Sequence, residues 1–462
     1  MSTFPQVANI AGLQGLLVYA LSCGLPMLLF SFFGPKLRRQ CPDGFVLTEW
    51  VFQRYGKITG LYLSACTILT LFLFMVSEIA SVQYALTSLT GMNVVPAVII
   101  QCVVTSIYTS VGGFKISFIT DTLQASVVIG LIIVMSAAVG AYVEIDTSQI
   151  GPSGLLNSSK LGWQLVYILP VAIFTNDLFV SGFWLRTFAS RSDKDLWIGC
   201  SIAVFLITSF AVIIGVSGLI AVWGGYVEIG DESSSASLFI ILADLPNWVV
   251  GFALVFVIII STCTLDSLQS ALTSTISNDI FRNKLSVIYC RIIVVIIVVP
   301  VVVVGLKVAD DVLQIYFIAD LLSAAVIPII MIGLSSKFYF LTGYEVVSGG
   351  FGGLLTVFIF GVIYYGDARE GAKLLLIWNG IYGNDWSAFG AFVAAPVGGL
   401  LSSTIMLGIR LSVLKIYSIV KGVPFTALDK IALSEESDTS SKSSVVIDVE
   451  STDPSTKLST KL

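Results

Sequence analysis

The run VVGFALVFVIII, residues 249–260, offers water nothing to bond except its backbone. Comparable runs recur along most of the 462-residue chain, separated by short charged stretches. In hydrocarbon every N–H and C=O must be satisfied within the protein, so repeated runs of about 20 apolar residues fold as membrane-crossing helices. Mean hydropathy is +0.95, with 56% hydrophobic and 11% charged residues. In a soluble chain roughly a quarter of the residues are charged. The expected fold is an all-α polytopic membrane protein. Eleven spans are predicted, at 8–33, 58–86, 94–111, 117–143, 164–185, 197–223, 247–277, 286–306, 312–335, 348–366 and 388–409.

Lysine and arginine orient these spans, because basic residues favour the cytoplasmic side. Sixteen of the 24 basic residues fall in one set of connections, including Arg38, Arg39, Arg54, Arg186, Arg282 and Arg410. The alternate connections carry Lys160, Lys307, Arg369 and Lys373, together with Glu144, Asp146, Glu228, Asp231, Glu232 and Asp244. The basic side is expected to be cytoplasmic and the acidic side, with the sequon Asn157-Ser158-Ser159, outside. Residues 1–421 form the expected membrane domain. The segment 422–462, containing EESDTSSKSS, is too polar to offset its ordering entropy and is expected to be a disordered cytosolic tail. With the C-terminus inside, an eleven-span chain begins outside, with only MSTFPQV ahead of its first helix. That suggests that further spans precede this start.

Several chemistries are excluded. The chain has no histidine, so a histidine relay, triad or metal site cannot form. Its seven cysteines show neither a disulfide framework nor zinc-ligand spacing. No catalytic constellation is visible, and neither an enzyme activity, a cofactor nor a nucleic-acid partner is expected.

Polarity inside the spans is therefore the informative signal. Charged groups at helix centres cost about 2.5–3.5 kcal/mol on insertion scales and usually face a cavity or a partner. Glu78, Asp177, Asp266 and Asp320 occupy such places, with Asp121 nearer a cytoplasmic end. No lysine or arginine sits at mid-span beside them. Residues 261–280, STCTLDSLQSALTSTISNDI, place Cys263, Ser267, Ser270 and Ser274 on one helical stripe. Asp266, Ser270, Thr273 and Ser277 share its neighbour. Small hydroxyl residues allow close helix packing, but polarity over half a helix circumference also suits a water-lined face able to ligate a hard cation. In LVYILPVAIFTNDLFVSGFWLR, Pro170, Thr175-Asn176-Asp177 and Gly182 predict an interrupted helix. Secondary transporters bind solutes at such interruptions.

These residues resemble a known family. GPKLRRQCPDGFVLTEWVFQRYG (34–56), LTGMN (89–93), YTSVGGFKISFITDTLQ (108–124), CTLDS (263–267) with DIF (279–281), and SAAVIP (323–328) are similar to motifs of the sodium:solute symporters, most closely the fungal and plant urea active transporters. The resemblance implies a leucine-transporter-like fold of inverted repeats working by alternating access, in the plasma membrane, with Na+ or H+ as coupling ion. It implies cation-binding roles for Cys263, Thr264, Asp266, Ser267 and Asp121, with Cys263 standing where serine is usual. It implies solute contacts from Thr175, Asn176, Asp177, Val180, Ser181 and Trp184. Val180 and Ser181 replace an Asp-Gln pair of the urea transporters, removing groups that would hydrogen-bond urea. By this alignment the first span corresponds to the second core helix, so the chain is expected to lack the first. The expected function is ion-coupled uptake of a small polar solute, urea first, then polyamines or related amides. A non-transporting sensor or a degenerate paralogue is the alternative.

Overall fold

The computed structural model describes residues 2–42, 44, 46–307, 311–378, 380–381 and 385–428, without the side chains of 111–118 and 232. All regular structure among them is helical. In chain order the helices are α1 (Thr3–Gly24), α2 (Pro26–Gln40), α3 (Leu47–Tyr55), α4 (Lys57–Thr90), α5 (Val95–Tyr142), α6 (Thr147–Ile150), α7 (Lys160–Phe179) and α8 (Ser181–Ala189). They continue as α9 (Asp193–Trp223), α10 (Ser237–Ala243), α11 (Asn247–Ser274), α12 (Val287–Lys307), α13 (Val312–Ile332), α14 (Gly343–Tyr365), α15 (Ala368–Leu374) and α16 (Ser387–Lys421).

Among the described residues ten helical stretches are long and apolar enough to cross a bilayer, with Val95–Ser110 as a shorter apolar one. Each of the eleven expected spans overlaps one of these. Large apolar side chains such as Ile288, Ile296, Val299 and Val303 on α12 are exposed, as a lipid-facing surface requires.

The boundaries differ from expectation in three places. First, α1 is not continuous. Gly12 leaves helical geometry at φ 65°, ψ −163°. A Cβ there would stand 2.2 Å from the Leu155 carbonyl oxygen, which instead accepts the Leu13 N–H at 2.8 Å. Second, the expected spans 94–111 and 117–143 form one helical element, α5, of 48 residues. A straight helix of that size would be about 72 Å long, more than twice the hydrocarbon thickness. Its first half meets α12 and its second half α11. Cys102 lies by Val298, and the Ser110 carbonyl, nearer the start of α12, accepts from Arg291. Met135 lies by Phe256, and Asp121, earlier in α5, meets Cys263, later in α11. Third, α7 runs straight through Pro170 and ends only at Val180, whose ψ of 116° is extended.

Two large apolar clusters make up most of the interior, with two small ones beside them. One gathers α1, α2, α3, α7, α8, α13, α14 and α16 around Phe30, Trp184, Phe317 and Phe392. The other gathers α4, α5, α10, α11 and α12 around Leu71, Met75, Phe256 and Leu272. Helices α14 and α16 approach closely because small residues line their contact; a Cβ at Gly353 would lie 2.6 Å from the Ala395 carbonyl. At one end of this pair Glu345, fully buried, caps α14 through Thr342 and pairs with Arg410 at 2.5 Å. That end of the bundle also carries Arg54 and Arg282; the opposite end carries Glu144, Asp146, Glu228 and Asp231.

Most of the expected tail, residues 429–462, lies outside the described residues. Gly422–Leu428 are described and fold back. The Leu428 carbonyl accepts from Tyr339 at 2.6 Å, and the Lys415 ammonium lies 5.3 Å from the Phe425 ring centroid.

Candidate functional site

Polar side chains gather along the seam between the two clusters. From α4 comes Glu78 and from α11 Ser261 and Thr264. With Ser2, Ser81 and Tyr316 of α13 they line a cavity of about 220 Å³. Thr264 stays helical by donating to the Ile260 carbonyl at 3.0 Å, which leaves its oxygen lone pairs for the cavity.

Tyr316 lies within electrostatic reach of Glu78, Asp320 and Cys23, and Asp177 within reach of Asp320. Helices α1, α4, α7 and α13 thus point three carboxyls, a thiol and a phenol at one region. Among the described residues none of the three carboxyls pairs with lysine or arginine. In a low-dielectric interior, an acid group left this way favours the arrival of a cation.

Local hydrogen bonds hold the acids in place. Asn176 donates to Asp320 at 2.5 Å, and Thr175 shares a hydrogen bond with Ser323 at 2.9 Å. These two bonds tie the C-terminal turn of α7 to α13 and leave Asp177 facing the seam.

Of the five expected cation-binding residues, Cys263, Asp121 and Ser267 meet around one point, Asp266 lies within electrostatic reach of Cys263, and Thr264 faces elsewhere. Thr264 faces the Glu78 cavity. Asp266 is fully buried and accepts from Thr109 at 2.6 Å. Cys263, Asp121 and Ser267 surround a resident cation, the Arg186 guanidinium of α8. Arg186 Nη2 lies 2.7 Å from Asp121 Oδ2 and 3.1 Å from Ser267 Oγ, and Nη1 donates to the Gly182 carbonyl at 3.2 Å. Cys263 donates to the other Asp121 oxygen at 3.1 Å. The sequence showed no basic partner for these acids because Arg186 reaches Asp121 through tertiary folding.

The expected solute contacts also divide. Thr175, Asn176 and Asp177 lie on the seam. Ser181 shares a hydrogen bond with Thr275 at 3.2 Å, and Val180 packs into the second apolar cluster. Trp184 requires a correction: its side chain has no solvent exposure, its indole donates to the Leu178 carbonyl at 2.7 Å, and its ring meets Phe30 edge-on at 5.0 Å. It packs the α7–α8 junction and is closed to solute. Sequence reasoning missed Cys23 and Tyr316. Tyr316 stands one helical turn before Asp320 on the same face, a spacing that the sequence does show.

At the acidic end, Asp146 and Asp231 remain ionised at neutral pH. The Ser148 hydroxyl and amide hold the Asp146 carboxyl below its ordinary range, and the Ser233 amide and hydroxyl do the same for Asp231. This end therefore presents negative charge to its surroundings.

Comparison with known proteins places this geometry. The spermidine transporter DUR31 of Candida albicans is 57% identical over 432 residues, covering 93% of this chain and 83% of its own. The sodium:solute symporter family profile matches residues 5–151. The chain belongs to the sodium:solute symporter family. More distant relatives of this symporter are the urea active transporter of Saccharomyces cerevisiae, 30% identical over 28% of this chain and 18% of its own, and the probable urea active transporter 1 of Schizosaccharomyces pombe, 29% identical over 28% and 19%. Among solved structures, a Na+-coupled sialic acid symporter in a substrate-bound outward-open state superposes with a TM-score of 0.63 at 17% identity, over 88% of this chain and 86% of its own. The symporter thus has the leucine-transporter-like fold and is a multi-pass membrane transporter.

Proposed function

We propose that this symporter carries a polyamine-class polycation by ion-coupled alternating access, with Glu78, Asp177 and Asp320 as the counter-charges along its path. The observation that carries the reading is the convergence of three carboxyls, Asp320 buried and Glu78 and Asp177 half-buried, with no arginine or lysine paired to them among the described residues. A neutral amide such as urea needs hydrogen-bond donors and acceptors but gains nothing from three negative charges. A flexible chain of ammonium groups matches such charges one by one. The relative at 57% identity, named for spermidine, supports the same choice. The membrane potential supports it too. Each charge gains about 2.3 kcal/mol per 100 mV, so a triply charged solute gains about 7 kcal/mol from the potential alone. A coupled Na+ or H+ adds to that drive, and Thr264 at the cavity wall offers it an oxygen.

The test is uptake of labelled spermidine by cells that lack their own polyamine uptake and express the symporter. Uptake above empty-vector cells is expected, with excess unlabelled spermidine competing and excess urea not. Glu78→Gln and Asp320→Asn should each raise the half-saturating concentration about tenfold or more, the worth of one charge-assisted hydrogen bond. Uptake equal to empty-vector cells, or competition by urea alone, contradicts the proposal.

A further inference from the structure

At its basic end α11 passes into a π-helix, Thr275–Ile280. Such turns widen the backbone spiral locally and are frequent at functional positions. Asp279 lies on this turn with 1% of its surface exposed, and neither of its carboxyl oxygens makes a hydrogen bond of normal geometry, although the Thr48 and Ser64 hydroxyls lie close enough to interact.

Two hydroxyls stand beside it, Thr48 at the start of α3 and Ser64 in α4. Thr48 Oγ1 is buried and likewise makes no hydrogen bond of normal geometry. Ser64 gives its hydrogen to the Gly60 carbonyl at 2.8 Å, which leaves its lone pairs free. The nearby charges are spent elsewhere. Arg282 pairs with Glu49 at 3.1 Å and lies 4.3 Å from the Phe52 ring centroid.

A buried carboxyl without a hydrogen bond is among the costliest groups a fold can hold, so its empty valences call for an occupant. The two hydroxyls beside it are hard oxygen donors, and Asp279 supplies one carboxylate. Calcium takes 6–8 oxygens, usually with several carboxylates, and magnesium demands near-octahedral geometry and keeps its water. One carboxylate with two hydroxyls suits a hard monovalent cation.

We propose that Asp279, Thr48 and Ser64 form a sodium-class cation site that joins α3, α4 and the π-turn of α11. It is separate from the Glu78 cavity, and its ligands come from the ends of elements and not from the seam. Because α11 also carries Thr264 and Asp266, occupancy here ties the polar helix of the solute path to α3 and α4 at the basic end. Loss of the ion loosens that tie.

The inference concerns ion binding and stands whether or not the solute is a polyamine. Its test uses the full chain purified in detergent, with thermal unfolding followed as NaCl replaces choline chloride at constant ionic strength. Sodium should raise the unfolding midpoint of the wild type more than potassium does. Thr48→Val and Asp279→Asn should each move the half-saturating sodium concentration at least tenfold higher, while the exposed Ser126→Ala, on α5, leaves it in place. Thr48→Val keeps the carboxyl and its charge, so it gives the reading even where Asp279→Asn fails to fold. A sodium response unchanged in Thr48→Val, or absent from the wild type, overturns the proposal and assigns the buried carboxyl a proton or a water instead.

Discussion

Gly12 shows how a single residue shapes this bundle. Its backbone lies at φ 65°, in the region that favours glycine, and the Leu155 carbonyl stands where a side chain would begin. Alanine would meet both penalties at once: about 1–2 kcal/mol for the backbone and about 1–3 kcal/mol for displacing a packed neighbour. We expect Gly12→Ala to lower the stability of the purified protein by about 2–5 kcal/mol in a denaturant titration, and Gly130→Ala, on α5 with open space around it, to be nearly neutral. Equal midpoints for the two variants would show that the break in α1 is not held by this contact. The sequence IAGLQG does not distinguish Gly12 from its neighbour Gly15. The constraint comes from a carbonyl in a distant loop, which composition and periodicity cannot register. Glu78, Asp177 and Asp320 were legible for the opposite reason. An acid in the middle of an apolar run is costly enough to be conspicuous alone.

Among the elements, the cluster around Arg186 joins three helices through one guanidinium. Asp121 belongs to α5, Ser267 and Cys263 to α11, and Arg186 to α8. Both charged partners keep some solvent contact, 38% and 19%, so screening reduces the worth of the pair below that of a buried one. A double-mutant cycle of Arg186→Gln and Asp121→Asn on unfolding free energy is expected to give a coupling of about 1 kcal/mol. Coupling indistinguishable from zero would mean that the contact does not hold α5 to α8. The spans themselves were readable because the bilayer leaves the backbone no choice but helix. The interruptions were not. Proline and the Thr-Asn-Asp run suggested a break within α7, yet the helix accommodates Pro170 and stops at Val180. Proline is tolerated inside a membrane helix where the surroundings satisfy the freed backbone groups, and such support is invisible in the local sequence. The π-turn at Thr275–Ile280 escaped for a similar reason, since its hydroxyl-rich sequence reads as an ordinary helix.

At the scale of the whole molecule, charge is distributed with a direction. An acidic end with Asp146 and Asp231 ionised leads to a seam whose three carboxyls have no lysine or arginine partner among the described residues, and beyond it lies an end rich in arginine. On the proposed function a polycation is drawn toward the first, held in the second and repelled by the third, which calls for a change of conformation before release. The family was legible from motifs spread over many spans, whereas the solute was not. Relatives named for spermidine and for urea both match this chain. The most direct test is equilibrium binding of labelled spermidine to the purified full chain, compared with an Asp177→Asn/Asp320→Asn double variant. Saturable wild-type binding that urea fails to displace, weakened at least tenfold in the double variant, is the predicted result. Equal affinity in the two proteins would contradict the account.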